Sequence, residues 1–186
     1  MSKNEPTVND YSLAWLRIAL GILFLVLAQY KVWGPEFARS GFEGWIHLFM
    51  RNGAYPFMVP VLRDLVLVHA RILAPLVAYG ELCIGLALLF GILVRAASFF
   101  GLIYMGALIL SSDYPGPHAV IWQYFGASLN HLVLALCFVA FGMGDATRVW
   151  SVSSAYRRKL RRLAQEAMES SDSSYSSSSA SNVFGK

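Results

Sequence analysis

Charge is scarce in this chain. Asp, Glu, Lys and Arg make up 14% of its 186 residues, against about 25% in an average soluble domain. Hydrophobic residues fill 56% of it and the mean hydropathy is +0.51, a balance that fits a membrane protein and not a water-soluble globule. Cysteine is nearly absent. Cys83 and Cys137 both lie inside apolar runs and form no CxxC pair, so they read as small apolar fillers and not as a disulfide. Familiar catalytic signatures are missing as well: no P-loop, no GxGxxG after a strand, no Ser-His-Asp set and no HExxH. No stretch near the start has the short apolar core and small-residue cleavage site of a removed leader, because the first apolar run is full length.

What the chain does have is long apolar runs. The first, Ser12 to Trp33, is apolar apart from Arg17, Gln29 and Lys31. Its length of about 22 residues, at 1.5 Å per residue, crosses a hydrocarbon layer of about 30 Å. Lys31 and Trp33 sit where a snorkelling cation and an interfacial aromatic belong. The second run extends from about Leu65 to Phe90, with Pro75 predicting a kink. The third, about Ala96 to Ser112, carries Gly101, Gly106 and Ala107, small enough for close helix contact. The fourth, about Ala119 to Phe141, includes Gln123, Asn130 and His131. The expected fold class is all-α, an integral membrane four-helix bundle. Between the first two runs, Phe42, Trp45, Ile46 and Phe49 recur at helical spacing and predict a short amphipathic helix lying in the interface. A plain loop with aromatic anchors is the alternative.

Four regions follow from these shifts in composition: a polar segment 1–11, the membrane domain 12–148, a basic helix 149–169 and a Ser-rich end 170–186. The basic helix holds Arg157, Arg158, Lys159, Arg161 and Arg162, a cluster suited to anionic lipid or a partner protein and not to nucleic acid. The Ser-rich end is expected to be ordered only by a partner. Keeping the basic cluster cytoplasmic, with an even number of spans, puts both termini in the cytoplasm of a cell with an inner membrane. Arg95 agrees with that orientation, whereas Arg39, Arg51 and Arg63 fall on the outer side.

The functional question centres on Glu81, a carboxylate deep inside an apolar run. Such a group costs about 2.5–3.5 kcal/mol to insert and normally faces a partner within the bundle. By helix rise, Glu81 lies roughly 13 Å and Arg17 roughly 7 Å from the inner surface. An arginine is long enough to climb the difference, and its planar fork suits a carboxylate. His131, near the middle of the fourth run, could join them from above. Arg17, Glu81 and His131 are thus the candidate catalytic set and the candidate lining of a ligand pocket, beside the plainer reading of an ion pair that fixes helix register. A bis-histidine haem is disfavoured, because His69 lies about 6 Å and His131 about 18 Å below the outer surface. His47, His69 and His118 fall on the outer side near Asp113 and are candidates for a metal, but without ligand spacing.

Arg17-Ile-Ala-Leu-Gly21-Ile-Leu-Phe24 followed by Lys31, and above all Gly80-Glu81-Leu-Cys-Ile-Gly85-Leu-Ala-Leu-Leu-Phe-Gly91-Ile-Leu-Val-Arg95, resemble the DoxX/DoxD family of small four-helix membrane proteins. The resemblance covers about Ser12 to Asp145. Trp122-Gln-Tyr is similar to the start of the last helix in the DoxD branch, and Gly142-Met-Gly144-Asp145 to the family's glycine-rich close. Ala28 stands where a glycine is common, and the Ser-rich end has no counterpart. The resemblance implies a subunit of a membrane redox or energy-conversion complex, in an accessory or structural role. The DoxD branch further implies the catalytic small subunit of a thiosulfate:quinone oxidoreductase, with quinone as the cofactor. A small transporter is a third expectation, hinted at only by Pro75.

Overall fold

The computed structural model describes residues 6–34, 36–126 and 129–183, and the side chains of all of these but 125, 126 and 169–183. Every regular element among the described residues is helical. Helix α1 (Val8–Trp33) starts ahead of the expected Ser12 because Thr7 and Asp10 form a capping box. The Asp10 carboxylate accepts from the Thr7 amide at 2.6 Å, satisfying a donor that the first turn leaves open. Helices α2 (Phe42–Asn52) and α3 (Met58–Val61) occupy the first connection, each beside a π-helical turn, Phe37–Gly41 and Leu62–Val66. Helix α4 (Ala70–Phe90) contains Pro75, and α5 (Val94–Ser112) follows a tight turn at Gly91.

Helices α1, α4 and α5 are long and apolar enough to cross a membrane. The fourth expected run is helical in its described parts, α6 (Ile121–Gly126) and α7 (Leu129–Met143), residues 127 and 128 lying outside the described residues.

Helix α1 packs along α4 and α5 along α7. The first pair is antiparallel and close, because Gly21 faces Gly85: a Cβ at Gly21 would stand 2.7 Å from the Leu89 amide nitrogen and 3.0 Å from the Gly85 carbonyl. Backbone cannot swing aside as a side chain can. Gly21→Ala is therefore expected to push the helices apart and cost about 1–3 kcal/mol, as overpacking does. Gly80→Ala meets nothing within 4 Å and should be neutral or gain about 0.5–1 kcal/mol from the better helix former. Thermal unfolding of the two variants in the same detergent checks the contrast; equal melting temperatures would rule out the tight α1–α4 contact.

Two separate cores result. One lies between α1, α4, α5 and α7, around Phe24, Leu88, Met105, Phe138 and Phe141. The other joins the first connection to the N-terminal half of α4, around Phe37, Phe42, Ile46, Leu62, Ala70 and Ala74. The outward faces stay apolar: Trp15, Ile22, Ile72, Leu76, Phe99 and Phe100 are all exposed. A contiguous apolar exterior of this kind suits lipid, not water. Helix α8 (Val152–Val183) is tied to the α4–α5 turn by Ser153, whose hydroxyl donates to the Gly91 carbonyl at 2.7 Å. It continues through the Ser-rich stretch to Val183, where composition alone predicts no order. Once a helix is nucleated, each further residue adds a backbone hydrogen bond.

Candidate functional site

Between the two cores lies a cavity of about 530 Å³. Its walls come from both sides: Phe24, Met105 and Leu134 from the four-helix core, Phe37, Phe42 and Ile46 from the other. Trp45 and Phe49 of α2 also line it. The amphipathic periodicity expected for this helix is present, with Phe42 and Ile46 buried, but what its apolar face meets is this cavity and the second core.

The cavity's charged group is Glu81, midway along α4 and 5% exposed. Lys31 in the last turn of α1 reaches it, Nζ lying 2.5 Å from Oε1. The Tyr104 hydroxyl, from the middle of α5, donates to the same oxygen. The ammonium also stands 5.6 Å from the centre of the Phe37 ring and 5.8 Å from that of Tyr30, within cation–π range. Three helices thus converge on one carboxylate oxygen. The other, Oε2, is buried and has no hydrogen-bond partner among the described residues. A carboxylate with two donors on one oxygen and none on the other offers the free oxygen to any incoming donor or proton.

The expected Arg17–Glu81 pair does not form. Arg17 is fully buried at the opposite end of the bundle, where Nη1 donates to the Leu88 carbonyl at 2.5 Å and Nη2 to the Trp150 carbonyl at 2.6 Å. It caps the end of α4, about 10 Å along the axis from Glu81. The physical reason is side-chain direction. Helix Cα–Cβ bonds tilt toward the N-terminus, so on α1 both cations lean toward Val8. That tilt takes Arg17 away from Glu81 and brings Lys31 back to it from the C-terminal end of α1. Lys31 and Tyr104 were the residues that sequence reasoning missed. Lys31 was visible only as a snorkelling cation, and the same tilt rule would have turned it inward.

His131 does not join Arg17: it lies in α7 with Nδ1 2.6 Å from Asp113 Oδ2, just beyond α5. The Ser112 hydroxyl holds the other Asp113 oxygen at 2.8 Å. His131 does line the same cavity as Glu81, with Asn130 and Ser111 beside it, so an Asp–His pair marks one end and a Lys–Glu–Tyr cluster the depth. Tyr55 and Tyr114 pack over this end, ring centres 4.9 Å apart. Burial raises the Tyr55 hydroxyl above its ordinary value, with Tyr124, Asp113 and Tyr114 adding to the effect, so it remains a neutral donor.

His47 and His118 are exposed, and the His69 ring shares a hydrogen with the Leu65 carbonyl at 2.9 Å. Among the described residues no group of three or more His, Cys, Asp or Glu side chains could hold a metal ion.

Comparison with curated proteins and with solved structures returns no match. The DoxX family matches residues 12–112, the stretch that supplies Lys31, Glu81 and Tyr104 and that runs from the start of the first apolar run to the end of α5. On that match, and on the helical membrane fold that carries it, the chain belongs to the DoxX family.

Proposed function

We propose that this DoxX-family membrane protein binds a lipophilic ring compound of the quinone class between its two cores, as a subunit of a membrane redox complex with both termini cytoplasmic. The observation that carries the reading is the Lys31–Glu81–Tyr104 cluster set in a mostly apolar, aromatic-lined cavity. About 300–1,000 Å³ of mostly apolar space with a few convergent polar groups is the usual form of a small-molecule site. A quinone needs just that: an apolar berth for the ring and hydrogen-bonding groups for its oxygens. Tyr104 and Lys31 can donate to a quinone oxygen, and Glu81 Oε2 can accept from a quinol hydroxyl. Two electrons from a reduced partner subunit and two protons convert quinone to quinol. Proton transfer requires a group within hydrogen-bond reach, and Glu81, with His131 nearer the surface, supplies the candidates. The accessory reading is retained within this one, since the electrons come from elsewhere in the complex. Nothing in the arrangement of Arg63, His69 and Arg71 favours a thiosulfate site, for Arg63 is paired with Asp64 on the surface.

A short-chain ubiquinone analogue added to the purified protein in lipid nanodiscs should raise its thermal stability. At a hundredfold excess over Kd the expected gain is about 2.7 kcal/mol. Ala107→Trp, which fills the cavity from α5, should abolish the gain while leaving the protein folded. No stabilisation of the parent, or an equal gain in Ala107→Trp, would remove the cavity from consideration.

A further inference from the structure

Helix α8 carries a second surface that the cavity does not use. Val152, Tyr156, Leu160 and Leu163 recur at intervals of four, four and three residues, placing them on one side of the helix. All four are exposed, as is Met168. At 100° per residue, Arg157 borders this stripe on one edge and Lys159 on the other, with Arg162 beyond Lys159 and Arg158 and Arg161 behind. The root of the helix is fixed. Ser153 is bonded to Gly91, and Trp150, just before it, packs edge-on against Tyr11 at 5.3 Å and Trp15 at 6.0 Å. Trp15 and Trp150 are themselves exposed, and exposed Trp and Tyr at the end of an apolar bundle mark the level of the membrane–water boundary. Only residues 144–151 separate α7 from α8, so the stripe begins at that level.

We infer that residues 152–168 form a docking surface for anionic phospholipid, lying along the bilayer at the end of the bundle where α1 begins. An apolar stripe with cations on both edges matches a lipid surface. The stripe enters the acyl boundary while the flanking arginines and lysine stay among phosphates. A groove on another protein would cover the stripe without needing cations on both edges. The attraction is additive and screened by salt, which makes the lipid composition part of the binding and gives the test its lever.

The test uses the full chain with Cys83→Ser and Cys137→Ser, in nanodiscs of phosphatidylcholine alone or of phosphatidylcholine with phosphatidylglycerol. A polarity-sensitive dye is attached at Leu160→Cys on the stripe or at Gln165→Cys on the opposite side. In the anionic discs the label at 160 should shift to the blue, resist iodide and be quenched by brominated lipid, while the label at 165 stays in water. Neutral discs or high salt should reverse the change at 160. Arg157→Gln with Lys159→Gln and Arg162→Gln should also reverse it, at an unchanged melting temperature. A label at 160 that is equally water-exposed in both lipids overturns the proposal. So does one equally shielded in both, which together with cross-linking between copies would assign the stripe to a second copy of the chain.

Discussion

Lys31→Met is expected to destabilise the bundle by about 3–5 kcal/mol, the range for removing one partner of a buried ion pair. The loss arises from what is left behind. Glu81 sits midway along α4, too far from either end of the helix for its short side chain to reach water, and would keep only the Tyr104 hydroxyl. Glu81→Gln should cost less. Lys31 is in the last turn of α1 and its side chain is 13% exposed, so once released it can swing outward and snorkel. Lys31→Met with Glu81→Leu removes both charges and should recover most of the stability, as apolar replacement of buried pairs often does. Denaturation of the three variants in one detergent, followed by helical signal, reads the order directly. The pair is refuted if Lys31→Met melts with the parent, or if the double variant is no better than Lys31→Met alone. Quinone-analogue binding on the same proteins separates stability from function: the double variant should be folded and should not bind.

Gly91→Ala carries the second large effect, at the other end of the bundle. Gly91 ends α4 in the left-handed region, φ 67°, where a side chain costs about 1–2 kcal/mol. Space is short as well. The added Cβ would stand 2.3 Å from the Ser151 Cβ and 2.5 Å from Arg17 Nη1. That guanidinium joins the end of α4 to the Trp150 carbonyl, and displacing it would lose charge-assisted bonds of about 1.5–3 kcal/mol each. The combined loss should reach roughly 3–5 kcal/mol, from the backbone term and at least one such bond. Arg17→Met should lose the same bonds without the backbone term and fall between Gly91→Ala and the parent. An Arg17→Met variant that melts with the parent would show that the guanidinium does not hold this turn.

The long apolar runs and the resemblance in Gly80–Arg95 made the membrane helices and the family legible, and Glu81 stood out as the polar centre. Its partner did not. Counting residues gives depth along a helix, but which way a side chain leans depends on chain direction, and that reversed the roles of Arg17 and Lys31. For Phe42, Trp45, Ile46 and Phe49 the spacing showed that one face was apolar without saying what it would meet. A lipid interface and a cavity wall ask the same pattern of a helix. Nor does a residue count show that His131 of α7 would meet Asp113. Asp113, ending α5, gained meaning only once His131 was seen beside it.

The second core has an unusual weakness, and it falls on α2. That helix is 11 residues long, shorter than an isolated helix can sustain in water, so its order depends on what its apolar face touches. Phe42, Ile46 and Phe49 pack into the second core, while Trp45, 48% exposed, serves mainly as cavity wall. A guest molecule in that cavity would add to the core on which the helix depends. Occupancy and the folding of α2 would then be coupled, each favouring the other.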